Sequence, residues 1–331
     1  MKRLILSFTL AILVTITITA QRISVVTESG VTSVYRTLQQ AIEEADPGST
    51  IYLPGGGFNI ADSVKITKRL TIIGIGHKSD NENADGSTII SGNLFFNENS
   101  SGSAVMSCYI TGNVNVGENN AEVNDVTIKF CNLNSVQVLN STCQETVVSQ
   151  CYLRNTSSFA WSNPTITNCV VHSLKGITGG KISSNIIISH SHIGTYTNYC
   201  LESTNSIINN NIFLPKQSGG YWEYYYLTGS DNIINNNMTL VDNFGDDCVK
   251  IGDVNWNDVF ENYNGGSISP VSKFHFKGDY IQYEFEVGIY AGDGFNEDQL
   301  APVPYIISKD IPQQTDAAGK LNIKIRVKAG D

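Results

Sequence analysis

One short pattern, returning seven times between residues 105 and 237, constrains the fold of this chain more than any other feature of its 331 residues. Val105-Met106-Ser107-Cys108, Ile128-Lys129-Phe130-Cys131, Val148-Ser149-Gln150-Cys151, Ile166-Thr167-Asn168-Cys169, Ile182-Ser183-Ser184-Asn185, Ile208-Asn209-Asn210-Asn211 and Ile234-Asn235-Asn236-Asn237 superpose as an aliphatic residue, two mostly polar residues, then Cys or Asn. The last positions are separated by 23, 20, 18, 16, 26 and 26 residues. A solenoid coil of three short strands and three turns needs about this much chain, with the variation absorbed in one or two turns. Two or three mostly apolar residues follow each motif, as in Ile186-Ile187-Ile188 and Ile212-Phe213-Leu214. The Cys or Asn therefore stands at a bend between strands, and stacked coils put these side chains in a column with a step of ~4.8 Å.

An inward Asn at such a bend bonds backbone and its neighbours above and below, which is a satisfied buried amide and not an active group. A thiol is small enough to hold the same column. Cys108, Cys131, Cys151 and Cys169 are accordingly expected as buried thiols, because parallel Cβ vectors on adjacent strands suit a disulfide poorly. Asn185, Asn211 and Asn237 continue the ladder. Cys143, Cys200 and Cys248 fall outside the column and suggest no pairing.

A parallel sheet ends in unpaired backbone groups, so both ends need covers. Residues 37–45 carry apolar residues at helical spacing, with Thr37 and Gln40 placed as a capping box and Asp46-Pro47-Gly48 as the stop. This predicts a short helix over the N-terminal end and a first strand at Thr50-Ile51-Tyr52-Leu53-Pro54. At the other end, Tyr280 to Tyr290 and Leu321 to Val327 alternate polar and apolar residues and predict strands that cap or flank the stack. The organisation expected is a signal peptide over 1–20, an N-terminal cap over 21–50, a right-handed parallel β-helix over 51–262 and a β-rich C-terminal extension over 263–331.

The run TLQQAIEEADPGSTIYLPGGGF, followed by KITKRLTIIGIG, resembles the opening segment of the pectin-lyase-like right-handed β-helix superfamily, and the Asn ladder is a second hallmark of that group. Together they span roughly residues 34 to 260. The tail is similar to the closing segment of exported bacterial β-helix proteins of unassigned activity. The resemblance implies the fold; lyases, hydrolases, esterases, adhesins and inert spikes share it, so it implies no single activity.

Charge narrows the partners. Met1-Lys2-Arg3, an apolar stretch from Leu4 to Ile18 and Thr19-Ala20 before Gln21 read as an export signal, and no other stretch approaches the ~18 apolar residues of a membrane span. Removing Lys2 and Arg3 takes the formal charge from −10 to −12 and leaves Arg22, Arg36, Arg69, Arg154 and Arg326 as the arginines. Neutralising phosphates takes a basic patch, which excludes nucleic acid as a natural partner. Abundant Gly and modest charge fit a chain that turns every few residues.

Residues at equal offsets from the ladder should stack, and five positions past it stand His190, Lys216 and Asp242, a column of base and acid types spanning ~10 Å. The two longest intervals hold the longest turns, and loops on a rigid scaffold are where binding usually resides. The first turn carries Tyr221, Trp222 and Tyr224, whose ring faces suit sugar C–H surfaces; the second carries Asp242, Asp246 and Asp247. Gly245-Asp246-Asp247-Cys248 is similar to the paired-aspartate motif of polygalacturonase-type hydrolases, where two carboxyl groups ~6.5 to 9.5 Å apart serve as general acid and base. The upstream Asn-Thr-Asp and downstream His-Gly and Arg-Ile-Lys elements of that family do not stand at matching places. An elimination mechanism needs calcium carboxylates and an Arg or Lys base, yet Arg154 lies several coils from the acidic loop and no calcium-loop pattern occurs. His190-Ser191-His192 lacks a third ligand, so neither metal nor cofactor is expected. The leading expectation is an exported β-helix protein that binds poly- or oligosaccharide or acts at the cell surface. The alternative is a polysaccharide-degrading enzyme using Asp242, Asp246 and Asp247 with His190 or Lys216.

Overall fold

Most strands of this structure pair in parallel with others about twenty residues away and not with their chain neighbours. The computed structural model describes residues 22–78, 86–160, 163–188, 199–214, 227–239, 244–251, 256–261, 274–300, 304–310, 314, 318–321 and 323–328. The expected signal peptide lies outside them. The result is an all-β structure of mostly parallel strands in long stacked sheets, the arrangement that a parallel β-helix requires.

Three walls share the work. The first wall contains Thr50–Tyr52, Thr71–Ile73, Ala104–Met106, Thr127–Lys129, Val147–Ser149, Thr165–Thr167, Lys181–Ser183, Ile207–Asn209 and Ile233–Asn235, in that order. The second wall runs from Tyr109–Ile110 through Asn132–Leu133, Tyr152–Leu153, Val170–Val171, Ile186–Ile188 and Ile212–Leu214 to Met238–Thr239 and Val249–Lys250. The third runs from Val114–Val116 to Leu227–Thr228, and the long strand Thr88–Phe96 joins it to the second. Register is kept at the aliphatic position of the repeat: Ile72, Val105, Ile128, Val148, Ile166 and Ile182 align and are fully buried. One aliphatic side chain per strand thus builds a continuous apolar column, at roughly 1.5–3 kcal/mol for each side chain removed from water.

The bend between the first and second walls is a single residue in the left-handed region. Ser107, Phe130, Gln150, Asn168, Ser184, Asn210 and Asn236 all have φ between 48° and 58°. Each precedes a ladder residue, so the side chain after the bend turns inward. The amides do there what the sequence suggests: Asn185 Nδ2 donates to Asn211 Oδ1 at 3.0 Å and to Ile166 O at 2.8 Å. Asn211 Nδ2 repeats this with Asn237 Oδ1 at 3.0 Å and Ile182 O at 2.9 Å. Above them Cys131 N and Cys151 N donate to the sulfur of the next thiol, each at 3.4 Å, and Cys169 N crosses over to Asn185 Oδ1 at 2.9 Å. All seven cysteines are thiols. Burial, foremost, pushes the Cys108, Cys131 and Cys151 thiols well above their ordinary value. The column begins beneath Gly74, where a Cβ would stand 2.8 Å from Cys108 Sγ and 2.4 Å from Ser107 O.

Cys248 corrects the expectation that it lies outside the ladder. Val249 pairs with Met238, Asp247 takes the left-handed bend at φ 50°, and Cys248 Sγ lies 4.0 Å from Asn237 Nδ2. Only eleven residues separate it from Asn237. The turn is so short that spacing alone hid the register.

The helix is Leu38–Glu44, with Thr37 Oγ1 accepting from Gln40 N at 3.2 Å. The Gln40 side chain bonds Glu44 instead of returning to Thr37, so only half of a capping box forms. Leu38, Ala41 and Ile42 join the main core, and Lys68 Nζ caps the far end through Glu43 O and Ala45 O. Beyond the first-wall strand Thr50–Tyr52, Ile23–Val26 and Thr32–Tyr35 add two antiparallel strands.

The tail departs most from expectation. Gly278–Tyr283 is a 3-10 helix, and turns follow it to residue 300, so the strand predicted over Tyr280 to Tyr290 does not form. Left-handed glycines at 278, 288, 292 and 294 break the extended run. The alternating apolar residues serve another purpose. Phe274, Phe276, Val287, Ile289 and Phe295 pack on Tyr152, Val170, Ile186, Ile188, Ile212, Leu214 and Met238, the outward face of the second wall. That is why Ile186-Ile187-Ile188 and Ile212-Phe213-Leu214 are apolar throughout: both faces of those strands are buried. Farther on, Tyr305–Asp310 and Lys324–Lys328 form an antiparallel pair.

Asn211→Ala removes an acceptor and two donors from a buried bend, and it is expected to cost about 2–4 kcal/mol in urea unfolding, without a change of fold. Thiol titration without reductant should find all seven cysteines reactive after denaturation and the buried ladder thiols Cys108, Cys131, Cys151 and Cys169 silent before it.

Candidate functional site

Three places merit comparison: the paired aspartates, the turns from the third wall back to the first, and the tail. Of the residues singled out in the sequence, His190, Lys216, Tyr221, Trp222, Tyr224 and Asp242 lie outside the described residues.

Asp246 and Asp247 are described, and both are exposed. Their backbones have defined work. Asp246 N donates to Ile234 O, and Asn236 N donates to Asp246 O, both at 3.0 Å, which aligns Asp246 with Asn235 of the first wall. Asp247 is the left-handed bend, a conformation that Asn and Asp adopt more readily than other side chains. Gly245 makes this last circuit possible, because at φ 151° a Cβ there would lie 2.5 Å from Ile234 O. Phe244 closes it from inside against Phe213, ring centroids 4.8 Å apart. The Gly-Asp-Asp-Cys resemblance is therefore matched by a rung of this stack, in which each of the four residues has a structural position.

Arg154, weighed as a base for elimination, is committed elsewhere. Its guanidinium donates to Tyr109 Oη and Ile110 O, each at 3.0 Å, and lies over the Tyr109 ring. It braces the outer face of the second wall.

The turns from the third wall to the first form a more open feature. Asn97-Glu98-Asn99 and Glu118-Asn119-Asn120 follow successive third-wall strands and, with Thr67, Ser101 and Glu122, line a cleft of about 670 Å³. Asn99, Asn119 and Asn120 stand at φ 67°, 56° and 63°, which turns the chain tightly. Glu118 is held by Lys65 at 2.7 Å and by Asn97 Nδ2 at 3.4 Å; these hydrogen bonds, that of Lys65 first, hold its carboxyl below the usual range. Further along, Asn140 Nδ2 donates to Ala121 O at 2.9 Å and fixes the floor of the turn. Amides, hydroxyls and carboxylates thus project from rigid strand ends. Sequence reasoning passed over this edge, although the repeated Asn-Glu-Asn and Glu-Asn-Asn turns, at like positions after successive third-wall strands, were a readable signal. A smaller cleft of about 310 Å³ lies on the same series of turns, at Gly179, Lys181, Ser206 and Asp231.

A third cluster belongs to the tail. His275 lies between Glu284 and Glu297, stacks on Tyr290 with centroids 4.2 Å apart, and is half-buried. Among the described residues no group of His, Cys, Asp and Glu is arranged to hold a metal ion, and no helix is long and apolar enough to cross a membrane. No protein-family profile, curated protein or solved structure matches the chain.

Gly245→Ala is expected to unseat the last circuit alone. Amide exchange in residues 244–251 should rise, while protection of Ile182 and Ile208 stays unchanged.

Proposed function

We propose that this chain is an exported right-handed parallel β-helix of the pectin-lyase-like kind whose function is to bind carbohydrate, with the cleft between the 97–102 and 117–122 turns as the primary contact surface. One observation carries the reading: the cleft offers side-chain amides, hydroxyls and carboxylates at fixed spacing on successive strand ends. Sugar hydroxyls are donors and acceptors at once, and such a mixed set satisfies them without a deep apolar pocket. Glu98, Glu118 and Glu122 make the surface acidic, which suits neutral or amine-bearing glycans and opposes uronates. The helix Leu38–Glu44 serves in this reading as the cover of the N-terminal end.

The second reading, a polysaccharide hydrolase, draws on Asp246 and Asp247, which are exposed side by side at the end of the stack. The rung accounts for Asp246 by its two backbone bonds and for Asp247 by its left-handed bend, which favours the binding reading over it.

Glu98→Gln and Glu122→Gln together should weaken binding of a neutral oligosaccharide selected on a glycan array by about tenfold in calorimetry, with unfolding unchanged. Release of reducing ends from a polysaccharide panel, abolished by Asp247→Asn, would establish the hydrolase instead.

A further inference from the structure

Residues 274–300 run along the outside of the second wall as a strap; His77 meets it from outside, and His275, within it, clasps two of its own turns together. At one end of its course Gly288 N donates to Asn210 O at 2.7 Å, and Asn168 Nδ2 holds Ile289 O and Ala291 O at 2.8 and 2.7 Å. At the other, Asn296 N donates to Gln150 Oε1 at 2.7 Å, Lys78 Nζ donates to Glu297 O, and His77 meets Gln299.

The clasp within the strap and the contact from outside it have opposite protonation requirements. His275 Nδ1 faces Glu284 Oε1, and Nε2 faces Glu297 Oε1 at 2.8 Å. Carboxylates only accept, so both contacts are made only when both ring nitrogens carry hydrogen, and a neutral imidazole turns a lone pair on one of them. The stacked Tyr290, whose hydroxyl donates to the same Glu297 Oε1 at 2.8 Å, completes the surroundings. His77 is the converse. It is buried, its Nε2–H is fixed by the Gln299 Oε1 acceptor at 3.2 Å, and Tyr152 stands edge-on at 5.7 Å. Nδ1 has no hydrogen-bond partner among the described residues, and Lys78 is the charged neighbour. A second proton on His77 would bury an unpaired cation beside a lysine.

We propose that this strap is a pH-gated cover: it is held only in the window where His275 is charged and His77 is neutral, and outside that window it loosens from the apolar face of the second wall. The ring energetics agree. At His77 burial, foremost, lowers the pKa from its ordinary 6.5 to about 4. At His275 burial works against the proton, but the hydrogen bonds and charges of Glu284 and Glu297 outweigh it and raise the value. A depressed folded value means that the His77 contribution is complete above its unfolded value and drains away as pH falls towards about 4. A raised one means that the His275 contribution is complete below its unfolded value and is lost as pH rises through the folded one. Loosening exposes Ile186, Ile188, Ile212, Leu214 and Met238, a contiguous apolar face.

The test is hydrogen exchange of the full chain from about pH 4.5 to about pH 9, corrected for intrinsic rates, in wild type, His275→Gln and His77→Gln. Protection of 274–300 should peak between the limits and fall by about tenfold or more on each side, while first-wall strands stay flat. His275→Gln should abolish the alkaline fall and keep the acid one; His77→Gln should do the reverse. If His77→Gln does not fold, the wild-type profile and His275→Gln decide the matter. Flat protection of the strap across the range, or an alkaline fall that survives His275→Gln, would overturn the proposal.

Discussion

Everything in this structure depends on one recurring act: a single left-handed residue turns the chain from the first wall to the second, and the next side chain must satisfy the backbone that the bend has buried. The turn is too tight to keep its own groups in water, and buried amide groups left unpaired cost more than any one contact returns. Asn solves this with a donor pair and an acceptor that reach the strand before and the rung after. Cys solves it less fully, with a sulfur that accepts from the rung before and bonds its own strand's carbonyl. Both are small enough to repeat at strand spacing. A larger or branched side chain would push the walls apart.

Once that bend is fixed, the rest follows by exclusion. The aliphatic residue two before the bend must point inward, the residues beside it outward, and the lengths of the other turns become free. Freedom in those turns is what produces surface features. On the edge from third to first wall it yields two clefts, the larger of them acidic; on the second wall, the apolar residues left outside by strict alternation demand a cover, which the tail supplies. The strap and the site are thus two uses of the same permissive scaffold.

The stack was legible in the sequence because its signal is periodic and local: Cys108, Cys131, Cys151, Cys169, Asn185, Asn211 and Asn237 announce their spacing directly. Cys248 was not legible, since a turn of minimal length moved it off the expected interval. The aspartates beside it drew attention for a resemblance, when Gly245 and Asp247 fit the backbone demands of a final rung. The tail failed for a different reason. Its alternation of aromatic and polar residues mimics a strand, and only the unexplained apolar runs at Ile186–Ile188 and Ile212–Leu214 hinted that something would lie over them. The two carboxylate partners of His275 lie 9 and 22 residues away, in turns with no periodicity to connect them.

A stack of rungs is ordinarily a one-dimensional object, in which each layer is stabilised only by the layers it touches and the ends fray independently of the middle. The segment that crosses from the Asn210 bend to His77 ties together layers that are not neighbours. It acts as a tendon laid along the long axis. Tension or fraying at either end is shared by the whole flank, and a chain built of repeats gains an all-or-none response that nearest-neighbour contacts alone would not give it.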